Sequence, residues 1–177
     1  MAGRQTLLCG VPAMRIDVAQ LLREPIGARA DVRLDLGSCS LDDDLSVRAI
    51  SGQLNLVHTT EGVWVTGSLA VDTDLECVRC LDPIVETIQV ELDERFRLPQ
   101  VTVSEGDQVY PIDADNHLNL RPVLRELVIV STPMHVVCRR DCLGLCPECG
   151  QNLNQGACDC QPDDIDPRMA VLKALVE

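Results

Sequence analysis

Aromatic residues are nearly missing from this chain of 177 residues: Trp64, Phe96 and Tyr110 are the whole set. Platforms that stack single-stranded bases need several such rings, so the shortage weighs against a stand-alone RNA-binding domain. Positive charge is also scarce. Fifteen Lys and Arg stand against 28 Asp and Glu, a formal net charge of −13, whereas affinity for a phosphate backbone comes largely from Lys and Arg. That balance leaves room for a basic protein partner. Long hydrophobic runs are lacking too. No apolar stretch approaches the ~20 residues of a membrane span, and the patch from Leu7 to Val11 is too short for a secretory signal. The expected location is therefore cytoplasmic, where thiols stay reduced and clustered cysteines hold metal more often than disulfides.

Signatures of catalysis are equally thin. His58, His117 and His135 are isolated in sequence, and neither a Gly-rich phosphate loop nor a nucleophile elbow occurs. His117, with Asp113 and Asp115 nearby, is the one mixed cluster and reads as a solvated loop. The chain is not expected to be an enzyme, nor to act on a small-molecule substrate.

What is present begins with ordinary hydrophobicity, 46% of residues, enough to bury a core without covalent staples. Val18, Leu21 and Leu22 sit at helical spacing until Pro25 and Gly27 interrupt them. Val32, Leu34 and Leu36 then alternate, and Asp42, Asp43 and Asp44 read as a solvated loop. Leu54 and Leu56, then Val63, Val65, Leu69 and Val71, share one face with period two. Ile84, Ile88, Val90, Leu92, Phe96 and Leu98 do the same between polar odd positions, as in a half-buried antiparallel strand. Residues 99–118 read as a loop or excursion. A helix follows, with Asn119 as N-cap, Pro122 in its first turn and a stripe of Leu120, Leu124, Leu127 and Val128; Pro133 ends it. A last helix runs from Asp166 through Pro167 to Val176. The expected class is α+β: an antiparallel twisted sheet or partial barrel over about residues 31–98, with helices near 17–23, 119–131 and 166–176. A core domain, 1–135, would carry Cys77 and Cys80 on a β-hairpin. A Cys-rich segment and the final helix would occupy 136–177.

Ten cysteines remain to be explained. Cys138, Cys142, Cys146, Cys149, Cys158 and Cys160 crowd into a stretch rich in Gly, Asn and Asp. In the turn Cys146-Pro147-Glu148-Cys149-Gly150, two thiolates converge while backbone N–H groups point toward sulfur, and Gly150 supplies the positive φ. Cys158 and Cys160 can complete a tetrahedral set, but Cys138 and Cys142 can replace them or join a second site. A second site would draw in Cys77 and Cys80, closing the count at eight thiolates for two ions. Zinc held by four thiolates has no open position and builds structure without activating water. The alternative for Cys77 and Cys80 is a redox pair, although such motifs usually open a helix. Cys9 and Cys39 read as ordinary small residues. A direct RNA-binding module would require Arg79, Arg95, Arg97, Arg121, Arg125, Arg139 and Arg140 to gather on one face.

Several of these segments together resemble a known family. They are Asp17-Val18-Ala19-Gln20-Leu21-Leu22 running to Gly27, Cys77-Val78-Arg79-Cys80-Leu81, the run from Cys138 through Cys146-Pro147-Glu148-Cys149-Gly150-Gln151-Asn152-Leu153-Asn154, Cys158-Asp159-Cys160, and Asp166-Pro167-Arg168. The chain resembles the large ribosomal RNA subunit accumulation proteins, the YceD family, over roughly residues 14–176. The resemblance implies a non-enzymatic role in large-subunit biogenesis. It implies a partner that is a ribosomal protein or a large-subunit assembly intermediate, with rRNA contacted indirectly. Some members keep the first CxxC and lack the later cysteines, which implies that zinc supports the fold.

Overall fold

Period-two alternation across the middle of the chain becomes three long strands in the computed structural model, which describes residues 14–43, 45–100 and 110–160. In chain order the elements are β1 (Arg15–Asp17), a 3-10 turn (Leu21–Arg23), β2 (Arg29–Leu36), β3 (Cys39–Ser40), β4 (Ser46–His58), β5 (Gly62–Glu76), β6 (Pro83–Arg97), β7 (Tyr110–Pro111), β8 (His117–Asn119) and α1 (Arg121–Ser131). One sheet has the order β2-β4-β5-β6-β7, with β3 also paired to β4; β1 and β8 form a separate two-stranded ladder. The larger sheet is open, with β2 and β7 at the ends of its order. The architecture is mostly sheet with one α-helix among the described residues, so it is α+β only in the broad sense.

Alternation explains the core. Leu34 and Leu36 on β2, Leu54 and Leu56 on β4, Val63, Val65, Leu69 and Val71 on β5, and Val90, Leu92 and Phe96 on β6 all point inward and are buried. A register shift in the β4–β5 ladder between Val47 and Ala49 lets both Val47 and Ile50 face the core despite their odd spacing. Glycine permits the closest approach of β4 and β5. Gly67 lies opposite Leu54, and a Cβ there would come 2.3 Å from the Gln53 carbonyl oxygen.

Several short elements depart from the sequence expectation. The helix expected over 17–23 is a single 3-10 turn, because Asp17 still belongs to β1 and Pro25 follows too soon. Arg15, Ile16 and Asp17 pair with Asn119, Leu118 and His117. The expected loop at 99–118 contains β7, parallel to β6 through Phe96↔Tyr110, and β8. The N-cap of α1 falls one residue later than expected, at Leu120. Asn119 still accepts a hydrogen bond from the Arg121 N–H at 3.1 Å. Leu120, Val123, Leu124 and Val128 bury the helix face. Asp42 is not simply solvated, since Arg125 pairs with it. The N–H of Asp43 and then Arg125 hold its carboxyl below the usual range. The helix expected at 166–176 lies outside the described residues.

The described chain divides into two compact units, residues 14–75 with 85–134, and residues 76–84 with 135–160. The first holds the hydrophobic core, and the second holds eight of the ten cysteines. No helix among the described residues is long and apolar enough to cross a membrane.

Candidate metal centres in the cysteine-rich unit

Two turns of the same build organise the second unit. In the first, the Leu81 N–H bonds the Cys77 carbonyl at 2.9 Å and the Cys77 N–H bonds the Asp82 carbonyl at 3.0 Å. In the second, the Gly150 N–H bonds the Cys146 carbonyl at 2.9 Å and the Cys146 N–H bonds the Gln151 carbonyl at 2.8 Å. The residue after the second cysteine is left-handed in both, with φ of 61° at Leu81 and 72° at Gly150. Glycine takes that conformation without penalty, whereas for leucine it costs roughly 1–2 kcal/mol.

Each turn presents two sulfurs to another pair. Cys77, Cys80, Cys138 and Cys142 form one set, and Cys146, Cys149, Cys158 and Cys160 the other; within each set the four sulfurs lie within 4.8 Å of one another. Spacing had left this partition open. The sets use consecutive pairs along the chain and do not interleave. Cys77 Sγ is 3.9 Å from Cys142 Sγ, and Cys80 Sγ is 3.6 Å from Cys138 Sγ. A zinc ion with four sulfurs at ~2.3 Å has tetrahedral edges of about 3.8 Å. A disulfide, at ~2.05 Å, is far shorter than either distance. No disulfide joins any of the nine described cysteines. Cys39 packs against the hydrophobic core, apart from both sets, and Cys9 lies outside the described residues.

Electrostatics within each set run in opposite directions at neighbouring sulfurs. The backbone N–H groups of Cys138 and Cys80 converge on Cys77 and, against burial, hold its thiol down to about 6. Those of Cys149 and Glu148 bring Cys146 to about 7. At Cys80 the Asp82 N–H favours the thiolate, but burial and hydrogen bonds to Asp82, Cys77 and Cys138 outweigh it and push the thiol up. Cys160 is pushed up to about 12, first by its hydrogen bond to Cys149 and then by burial. Four clustered thiols readily lose the first proton where amides point at sulfur, and like-charge repulsion resists further loss. A divalent cation removes that resistance, so either set could hold a metal ion.

Around the first set lie polar groups that the cysteine pattern did not single out. Arg79 Nη1 donates to the Cys142 carbonyl at 2.9 Å. Asn154 Nδ2 donates to Cys142 Sγ at 3.3 Å, and its Oδ1 accepts from Arg139 and the Leu143 N–H. Burial opposes the Cys142 thiolate, yet Asn154 and the Gly144 N–H outweigh it and lower the pKa. Asn152 donates to both Asp82 oxygens, and Cys80 Sγ donates to Asp82 Oδ2 at 3.2 Å. The signal in sequence is the Asn-x-Asn spacing directly after the second turn, where Asn152 Oδ1 accepts from the Asn154 N–H in a further turn over residues 153–155.

Arginines are mostly committed within the fold. Arg97 pairs with Glu61, Arg121 donates to the Leu41 and Ser40 carbonyls, Arg125 pairs with Asp42, and Arg139 pairs with Asp141. Asp113 is likewise engaged by Arg15. The described histidines join no metal-binding group, and both candidate groups consist of cysteine alone.

Comparison with known proteins matches residues 65–176 to the model of the large ribosomal RNA subunit accumulation protein YceD. An uncharacterized protein of Mycobacterium tuberculosis is 34% identical over 175 residues, covering 90% of this chain and 79% of its own. An uncharacterized protein of Mycobacterium leprae is 33% identical over 108 residues, 59% of this chain and 49% of its own. A chloroplastic large ribosomal RNA subunit accumulation protein homolog of Zea mays is 28% identical, over 81% of this chain and 51% of its own. No solved structure matches. By the family match and the mycobacterial relatives together, this chain belongs to the large ribosomal RNA subunit accumulation protein YceD family.

Proposed function

We propose that this chain is a non-enzymatic, cytoplasmic factor in biogenesis of the large ribosomal subunit. Two structural zinc ions, one on Cys77, Cys80, Cys138 and Cys142 and one on Cys146, Cys149, Cys158 and Cys160, hold its second unit. The observation that carries this reading is the pair of all-cysteine sets in a member of an rRNA accumulation family. Four thiolates close the coordination of zinc and leave no position for substrate. The net charge of −13 supports a basic protein partner. Exposed Asp31 and Asp35 on β2 and Glu91 and Asp93 on β6 lie on the solvent side, interspersed with Arg29, Arg33 and Arg95, and contribute acidic groups to such a contact. A ribosomal protein, or an assembly intermediate displaying one, fits that requirement, with rRNA reached through it.

Deleting the gene and measuring the ratio of large- to small-subunit rRNA tests the role. The ratio is expected to fall and to recover when the wild-type gene is supplied. An unchanged ratio rejects the role. Affinity capture of tagged protein after nuclease treatment should still recover a basic ribosomal protein; loss of all ribosomal material on that treatment would favour direct RNA contact. The depressed thiol at Cys77 beside the raised one at Cys80 favours a second reading, a dithiol oxidoreductase. Turnover of a disulfide substrate by the reduced, metal-free protein, with a dithiol as electron donor and lost on Cys77→Ser, would establish it.

A further inference from the structure

One hairpin serves both cysteine sets. Leu145 and Asn152 pair across it, with the Leu153 N–H bonded to the Gly144 carbonyl at 2.9 Å and the Cys146 N–H to the Gln151 carbonyl at 2.8 Å. Cys146 and Cys149, at its turn, belong to the second set. The segment returning from that turn carries Asn152, at the bridge, and Asn154, in the turn that follows, and their amides serve the first: Asn154 bonds Cys142 Sγ, and Asn152 holds the Asp82 carboxylate that lies against Cys80 Sγ. The two asparagines are also joined, since Asn152 Oδ1 accepts from Nδ2 of Asn154 at 2.9 Å and from its backbone N–H at 3.0 Å.

Resting on the metal reading above, we propose that the two sets bind metal cooperatively. Asn152 and Asn154 are the positioning residues through which closure of the second set organises the first. A metal on Cys146, Cys149, Cys158 and Cys160 fixes the hairpin turn and hence the segment that follows it. That segment then holds the Asn154 amide at Cys142 and orients Asp82 through Asn152 for a metal in the first set. Groups that orient ligands in this way typically change metal affinity 10–100-fold. Linkage makes the effect reciprocal, so either metal tightens the other.

Zinc titration against a competing chelator, read by native mass spectrometry, tests this with three proteins: the full chain, a Cys77→Ser/Cys80→Ser variant and a Cys146→Ser/Cys149→Ser variant. The product of the two stepwise constants of the full chain, divided by the product of the two single-site constants, is the coupling factor. A factor of about ten or more is expected. A factor of one, with both single-site variants binding zinc, overturns the inference and leaves the metal reading intact. Failure of the full chain to bind zinc overturns the metal reading itself. Repeating the three titrations with Asn154→Ala should lower the factor at least threefold; an unchanged factor removes Asn154 from the coupling. Cobalt supplies a local signature. Loss of the Asn154 N–H···S bond should shift the thiolate-to-cobalt band of the first set to longer wavelength and leave that of the second set in place. The absence of such a shift likewise overturns the assignment.

Discussion

The two units of this protein solve the problem of staying folded by different chemistry. The sheet unit buries large side chains such as Leu54, Leu56, Leu69, Leu92 and Phe96 almost completely. Each such burial contributes roughly 1.5–3 kcal/mol. Among the described residues of the cysteine-rich unit the buried cluster is Cys77, Cys80 and Cys142, with Leu145 packed on it, while Val78, Leu81, Val137 and Leu143 face solvent. A cluster of three thiols and one leucine offsets little of the conformational entropy of ordering such a segment, at roughly 1–2 kcal/mol for each backbone residue. Burial supports the first unit, and coordination is the support proposed for the second.

On the proposed zinc reading, the largest effect that can break this contrast is removal of metal. Structural zinc in small domains contributes about 10–16 kcal/mol of apparent binding free energy at neutral pH, all of it available to folding. A strong chelator should therefore collapse amide-exchange protection over residues 76–84 and 135–160, while protection in β4, β5 and α1 survives. Equal loss in both units would mean that they fold as one. The complementary change is Phe96→Ala, which empties a fully buried ring site that packs on Tyr110 at 5.6 Å between centroids. Denaturant unfolding should show a loss of about 3–5 kcal/mol with zinc stoichiometry unchanged. A fall in stoichiometry would show that the sheet core supports the metal sites directly. The smallest change compares the two turns. Leu81→Gly gives the first turn the residue already found at Gly150, and relief of the left-handed leucine should stabilise it by about 1 kcal/mol. Slower zinc release from the first set would register the gain; faster release would mean that the exposed Leu81 side chain does more for the site than its backbone costs.

Long strands were legible in the sequence because one face of each is buried, which imposes period two from Val63 to Phe96. Short ones were not. Residues Arg15, Ile16 and Asp17 owe their extended form to partners about a hundred positions away, and Tyr110 and Pro111 owe theirs to the parallel edge of β6. Nothing local separates such segments from a helix turn or a loop, as the 3-10 turn at Leu21 also shows. The candidate ligands were legible as types, since eight cysteines in paired spacing have few other uses. Their partition was not, because spacing fixes which sulfurs share a turn and says nothing of which turns meet. Asn152 and Asn154 stood in the resemblance as bare letters, and acquired a role only when the hairpin carried them to Cys142 and Asp82.

Consecutive pairing of the cysteines also has a consequence for synthesis. At about 5–20 residues per second on the ribosome, Cys158 follows Cys149 by nine positions and about 0.5–2 seconds. Cys138 follows Cys80 by 58 positions, a wait of about 3–12 seconds at the same speed. Throughout that interval Cys77 and Cys80 are a vicinal dithiol without its partners, open to capture by any soft metal or oxidant in reach. Faithful assembly of the first centre therefore depends on the reducing power of the compartment in which the chain emerges, and a brief oxidative pulse during translation should damage this protein far more than the same pulse after folding.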